Sequence, residues 1–249
     1  MAKLVNFCKS KKISTIFLYS GKELFKEESD LEAIKKLIRE AHAAGIEVQG
    51  LDGWPEAVYK ENHKEFLSSL ENILKFNAVA EKDERFDGFQ SDVEPYNLPE
   101  FKASQESRQK IESFFVDLHT KCRDIAGEKF KLGLAISERY SHEESSVPVS
   151  MLKIMDYLAV MAYRNQGDRI IKSSEYFIDM ASGMDKKIWV GVETGPPGDE
   201  PASISFYGKK EKEMEAELSK VSEYFKDKKS FSGLAIHSYI SYAEIKNGN

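Results

Sequence analysis

The chain has 249 residues, 41% hydrophobic and 31% charged, with a formal net charge of -6. That apolar fraction can bury a core, which excludes global disorder, and the acidic balance gives no electrostatic footprint for nucleic acid. Its two cysteines, Cys8 and Cys122, fall in expected helices and have neither a disulfide framework nor metal-ligand spacing. There is no run of about 18 apolar residues, so no membrane span is expected. The N-terminal stretch MAKLVNFCKSKK lacks the apolar core of a secretory signal. The expected location is the cytoplasm unless a leader was removed.

An opening helix is expected over Ala2 to Lys11. Short β-branched or aromatic runs then alternate with amphipathic helices. The runs are ISTIFLYS (13–20), IEVQGLDG (46–53), FDGFQSDVE (86–94), KLGLAIS (131–137), YLAVMAY (157–163), KIWVGVE (187–193) and GLAIHSY (233–239). Leu31 to Ala44 has helical apolar spacing and stops at Gly45, a natural helix terminator. Ser107 to Ala126 repeats the pattern and stops at Gly127. The fifth run follows directly on a short segment, MLKIM, so a small or distorted helix is expected there. Glu211 to Phe225 is charged on one face, with Met214, Leu218, Val221 and Phe225 on the other. Lys209, Lys210, Glu211 and Lys212 read as a solvated face.

Strand–helix alternation with buried apolar strands argues for a parallel sheet covered by helices. The fold class expected is α/β, a (β/α)8 TIM-barrel-like fold with seven recognisable strands, numbers two to eight, in one domain over 1–249. A seven-stranded barrel and an open doubly wound sheet are the alternatives. No Gly-rich phosphate loop follows any strand, and no cofactor is implied. A missing first strand would leave edges on strands two and eight. Compensation by a homo-oligomer is therefore expected.

In barrel enzymes the chemistry collects at the C-terminal ends of the strands. The run ends supply Tyr19; Asp52 and Trp54; Gln90, Asp92 and Glu94; Ser137 and Glu138; Met161, Tyr163 and Arg164; Glu193; and His237 and Tyr239. On a strand, Gln90, Asp92 and Glu94 share one face and Phe89, Ser91 and Val93 the other. Two carboxylates about 6.5–7 Å apart along a strand can interact. A neighbouring anion and burial both favour the protonated acid, which is the form that donates a proton to a leaving oxygen. Glycosidic cleavage needs such a donor. Trp54 is a candidate platform for the apolar face of a sugar ring.

The stretch DGFQSDVE resembles the fourth-strand motif D-G-x-D-x-D-x-E of glycoside hydrolase family 18, the chitinase-like barrels. Asp87, Gly88, Asp92 and Glu94 match it, and Gln90 stands where the family has its middle aspartate. VMAYRN resembles the family's sixth-strand M-x-Y-D through Met161 and Tyr163, with Arg164 at the aspartate position. The resemblance implies Glu94 as general acid. It also implies Asp92 as the residue that orients and charges the substrate's N-acetyl group, and Tyr163 as its hydrogen-bond partner. His237 and Tyr239 occupy the strand that usually offers a tryptophan. Val93-Glu94-Pro95 and WVGVETG also resemble the retaining glycosidases of clan A, which implies Glu94 as acid/base and Glu193 as nucleophile, about 5–5.5 Å apart.

Three hypotheses follow: a glycoside hydrolase-like protein with a carbohydrate ligand, a non-catalytic carbohydrate-binding barrel, and a metal-dependent hydrolase using Asp52, Asp92, Glu94 and His237. No H-x-H or HExxH spacing supports a metal. His42, His63 and His119 read as surface residues, and His142 sits in the polar loop after the fourth run. In the loop 194–208, Ile204, Phe206 and Tyr207 are candidates to close over a ligand or to pack the loop down.

Overall fold

The computed structural model describes residues 2–141 and 145–245. His142 lies outside the described residues. The chain divides into two compact units, residues 1–134 and 135–249.

The first unit opens with helix α1 (Ala2–Ser10) and continues with strand β1 (Thr15–Tyr19), helix α2 (Glu28–Ala43) and strand β2 (Glu47–Asp52). Helix α3 (His63–Val79), strand β3 (Gly88–Ser91), helices α4 (Pro99–Ala103) and α5 (Gln105–Ala126), and strand β4 (Lys131–Ser137) follow; β4 runs across the boundary. The strands pair in parallel and in chain order, with Thr15 opposite Glu47, Gln49 opposite Gly88, and Gly88 opposite Lys131. Helix α2 buries Ile34, Leu37, Ile38 and Ala41, one stripe at helical spacing. It stops because Gly45 takes φ +74°, a backbone region costly for any residue with a Cβ. Helix α5 is capped by Ser104, whose Oγ accepts from the Ser107 N–H at 3.1 Å. Behind β3, Phe66, Phe89 and Phe115 are fully buried among the faces of α3 and α5.

The second unit contains helix α6 (Val147–Ile154), strand β5 (Tyr157–Met161), helix α7 (Gly167–Ser182) and strand β6 (Lys187–Glu193). It ends with helix α8 (Glu211–Phe225), strand β7 (Phe231–His237) and helix α9 (Tyr239–Glu244). Pairing is again parallel, Tyr157 to Lys187 and Glu193 to His237. Phe177, Val190, Val192, Met214, Val221 and Phe225 form its core.

Seven strands alternating with helices give the incomplete (β/α)8 TIM-barrel-like fold that the pattern predicts. Strand β3 is buried at all four positions, whereas β1 and β7 are partly exposed along their length. Among the described residues no helix is long and apolar enough to cross a membrane.

Several expectations change. Strand β3 stops at Ser91, so Asp92 and Glu94 lie beyond it rather than on it. A single further ladder bond, Asp92 N–H to the Asp52 carbonyl at 2.9 Å, carries the pairing one residue on. The last strand starts at Phe231, and Tyr239 opens α9 instead of ending a strand. His63 and His119 are buried rather than on the surface. Glu211 is buried as well, because it shares the face of Met214 and Leu218 on α8. Both cysteines are buried, and burial pushes the Cys122 thiol up to about 12.

Candidate functional site

In the first unit the ends of β2 and β3 are built around a glycine. A Cβ on Gly53 would lie 2.2 Å from the carbonyl carbon and oxygen of Asp92, so only glycine lets the two chains approach this closely. Asp52 is buried and committed. One carboxylate oxygen accepts from the Gly53 N–H at 2.9 Å and the other from the Ser69 hydroxyl of α3. It therefore holds the turn rather than presenting a charge at a rim.

Beyond the strand, Val93 is buried and flanked by the two carboxylates of the motif. Asp92 Oδ1 is sealed from solvent. Glu94 is partly exposed, and its carboxylate is held on both sides. Tyr96 donates its hydroxyl to Oε1, and Asn97 Nδ2 donates to Oε2 at 2.9 Å. Gln90 is buried on β3. Trp54 is partly exposed and meets Phe66 edge-on at 5.9 Å. Tyr19 is 67% exposed at the end of β1.

The first aspartate of the motif is placed differently. Asp87 Oδ2 accepts from the Val48 N–H at 2.7 Å and contacts His42 Nε2 at 2.9 Å, at the start of β3. It ties β2, β3 and α2 together, which is a structural task.

Behind β3, His119 is fully buried. Its Nδ1 lies 2.7 Å from the Phe115 carbonyl, which can only accept, so Nδ1 carries the hydrogen. Nε2 then accepts from the Ser91 hydroxyl at 2.8 Å. Burial drives the imidazole pKa down to about 4, with a smaller push from His63.

The second unit gathers another group of the expected residues. At the end of β6, Glu193 Oε1 accepts from the Thr194 and Gly195 N–H groups at 2.7 and 2.5 Å. Oε2 contacts His237 Nδ1 of β7 at 2.7 Å. Burial alone would push this carboxyl up. The His237 hydrogen bond and the backbone donors outweigh it and hold Glu193 below the usual value. Tyr163 stacks on His237, with ring centres 6.5 Å apart and planes 21° apart. Arg164 binds the Glu138 carboxylate and donates to the Tyr163 carbonyl at 2.6 Å. Met161, the last residue of β5, is partly exposed.

The loop 194–208 is tied down toward its C-terminal end. Phe206 N–H donates to the Glu193 carbonyl at 2.9 Å, and Asn165 Nδ2 donates to the Ala202 and Ser205 carbonyls. Phe206 packs inward while Tyr207 stays 57% exposed. Tyr239, at the start of α9, is 39% exposed.

Among the described residues no group of three or more His, Cys, Asp or Glu side chains is arranged to hold a metal ion. Tyr96 and Asn97 escape a reading that stops at strand ends. The sequence signal for them is the proline at 95, which turns the chain back toward Glu94.

No family model matches the chain, and no curated protein matches it in sequence. Its fold, however, is shared by solved glycosidases. A chitinase from Rhizomucor miehei aligns with a TM-score of 0.57 at 14% identity, over 93% of this chain and 90% of that one. A glycoside hydrolase family 18 N-acetylglucosaminidase from Paenibacillus barengoltzii gives 0.55 at 13%, over 94% and 90%. A GH5-4 broad-specificity endoglucanase from an uncultured bacterium gives 0.62 at 11%, over 99% and 81%. The chain thus has a glycosidase-like, TIM-barrel-like fold, similar to chitinases and to family 5 glycosidases alike.

Proposed function

We propose that the chain is a glycoside hydrolase-like protein acting on a carbohydrate, with Glu94 as general acid. The observation that carries this reading is the Glu94 carboxyl just beyond β3, partly exposed and oriented by two donors, two residues after Asp92. Protonated Glu94 gives its proton to the glycosidic oxygen as the bond to the anomeric carbon breaks. The substrate's N-acetyl oxygen bonds to that carbon, and the Asp92 carboxylate offsets the positive charge that develops on the acetamide. Water then attacks the anomeric carbon, the bond from that carbon to the N-acetyl oxygen breaks, and the water gives a proton to Glu94. Tyr163 is the residue to which the family 18 resemblance gives a hydrogen bond with the acetamide. Structural neighbours that include chitinases support this reading.

A clan A-type reading, with Glu94 as acid/base and Glu193 as nucleophile, is favoured by a different observation. Glu193 is held as a carboxylate by three donors, the state a nucleophile needs. A purely binding role is favoured by Arg164, whose guanidinium is already engaged by Glu138. The test is turnover of a glycan panel, chitooligosaccharides and β-glucans included, by wild type, Glu94→Gln and Glu193→Gln. Glu94→Gln should lose roughly 100-fold or more in kcat. Wild-type turnover undiminished in Glu94→Gln defeats the proposal. Glycan binding with no wild-type turnover supports the binding role.

A further inference from the structure

Glu94 is followed by a turn that closes over its own carboxylate. Pro95–Asn97 forms one 3-10 turn, with the Asn97 N–H donating to the Glu94 carbonyl at 3.1 Å. Val93, Pro95 and Leu98 are buried and anchor the segment on both sides. The turn therefore presents side chains 96 and 97 to residue 94, Tyr96 at Oε1 and Asn97 at Oε2. The two partners differ in what they can do. An amide nitrogen only donates, whereas a phenol hydroxyl donates or accepts.

We propose that Tyr96 and Asn97 are positioning residues of the general acid, with Asn97 selecting the oxygen that carries the proton and Tyr96 following the proton as it leaves and returns. This rests on the reading of Glu94 as the acid. Asn97 Nδ2–H occupies Oε2, so a proton on the carboxyl resides on Oε1. There the Tyr96 oxygen accepts it until a glycosidic oxygen takes that place. As the proton moves to the glycosidic oxygen and the C–O bond breaks, the Tyr96 hydroxyl turns and donates to the new carboxylate. When the attacking water gives its proton to Oε1, Tyr96 turns back. One proton leaves and one returns, so the residue ends as it began.

The experiment uses Tyr96→Phe and Asn97→Ala in the full chain, with thermal unfolding as the check on folding. On any glycan that wild type turns over, Tyr96→Phe should lower kcat on the order of 10- to 100-fold with KM within about twofold. A rise in KM with kcat unchanged overturns the relay. The second readout needs no substrate. The 13C signal of the Glu94 carboxyl, assigned by its absence in Glu94→Gln, is followed at a fixed alkaline pH. Each substitution should displace it, and an unmoved signal in both overturns the proposal whatever the activity. Displaced signals with no turnover by wild type overturn the relay and the acid role together, and reduce the turn to a local cap.

Discussion

His119 gives the fold an acid sensitivity that can be worked out from one residue. Its imidazole sits between the Phe115 carbonyl and the Ser91 hydroxyl, against the rings of Phe115 and Phe66, and His63 acts on it through its charge. Burial takes its pKa from 6.5 to about 4 in the folded chain. Between those values the unfolded chain binds a proton that the folded chain refuses, so stability falls as pH drops from 6.5 toward 4. Above 6.5 both forms are neutral and there is no penalty. At pH 5 nearly all unfolded histidine is protonated and little of the folded, a loss of about 2 kcal/mol relative to pH 7.5. The full loss, below pH 4, is roughly 3 kcal/mol. His119→Gln keeps a donor and an acceptor but does not titrate. It should cost about 1–3 kcal/mol at pH 7.5 through lost ring packing. Between pH 7.5 and 5, wild type should then lose about 2 kcal/mol more than the variant. Urea unfolding at the two pH values reads this as a difference in midpoint at unchanged slope. Parallel pH dependence in the two proteins refutes the reasoning, since other titrating groups cancel in the comparison.

Gly53→Ala should destabilise the first unit by more than about 3 kcal/mol, because its Cβ meets rigid backbone at 2.2 Å; a variant with an unfolding midpoint close to wild type contradicts this packing. Glu193 contributes stability that is fully present above the unfolded carboxyl value and lost as pH falls through its lowered folded value. The gap in unfolding midpoint between wild type and Glu193→Gln should therefore be wide at pH 7 and narrow near pH 3, and a constant gap goes against it.

Much of the fold was legible because it depends on local periodicity. The strands at 131–137 and 187–193 and the helix at 211–225 fall where the apolar pattern puts them. The buried faces of the long helices α3 and α7 are plain once the strands place them. The site was legible as a set of residue types and much less as a set of tasks. Asp52, Asp87 and Glu94 are all carboxylates near strand ends. Packing commits the first to Ser69 and a turn, the second to Val48 and His42, and leaves the third partly exposed.

The sequence by itself determined the alternation of strands and helices, the glycine that ends α2, and the acidic stretch after Ser91. These follow from side-chain polarity and backbone preference over a few neighbouring residues. Only the tertiary structure decided that β3 ends before its carboxylates, that His119 is buried and neutral, and that His237 reaches Glu193. Each depends on partners far apart in the chain, as with residues 91 and 119 or 193 and 237, whose approach is set by strand register and helix packing. The Glu94 clamp lies between the two cases. Its residues are adjacent in sequence, and it is the turn anchored by Val93 and Leu98 that aims them at one carboxylate.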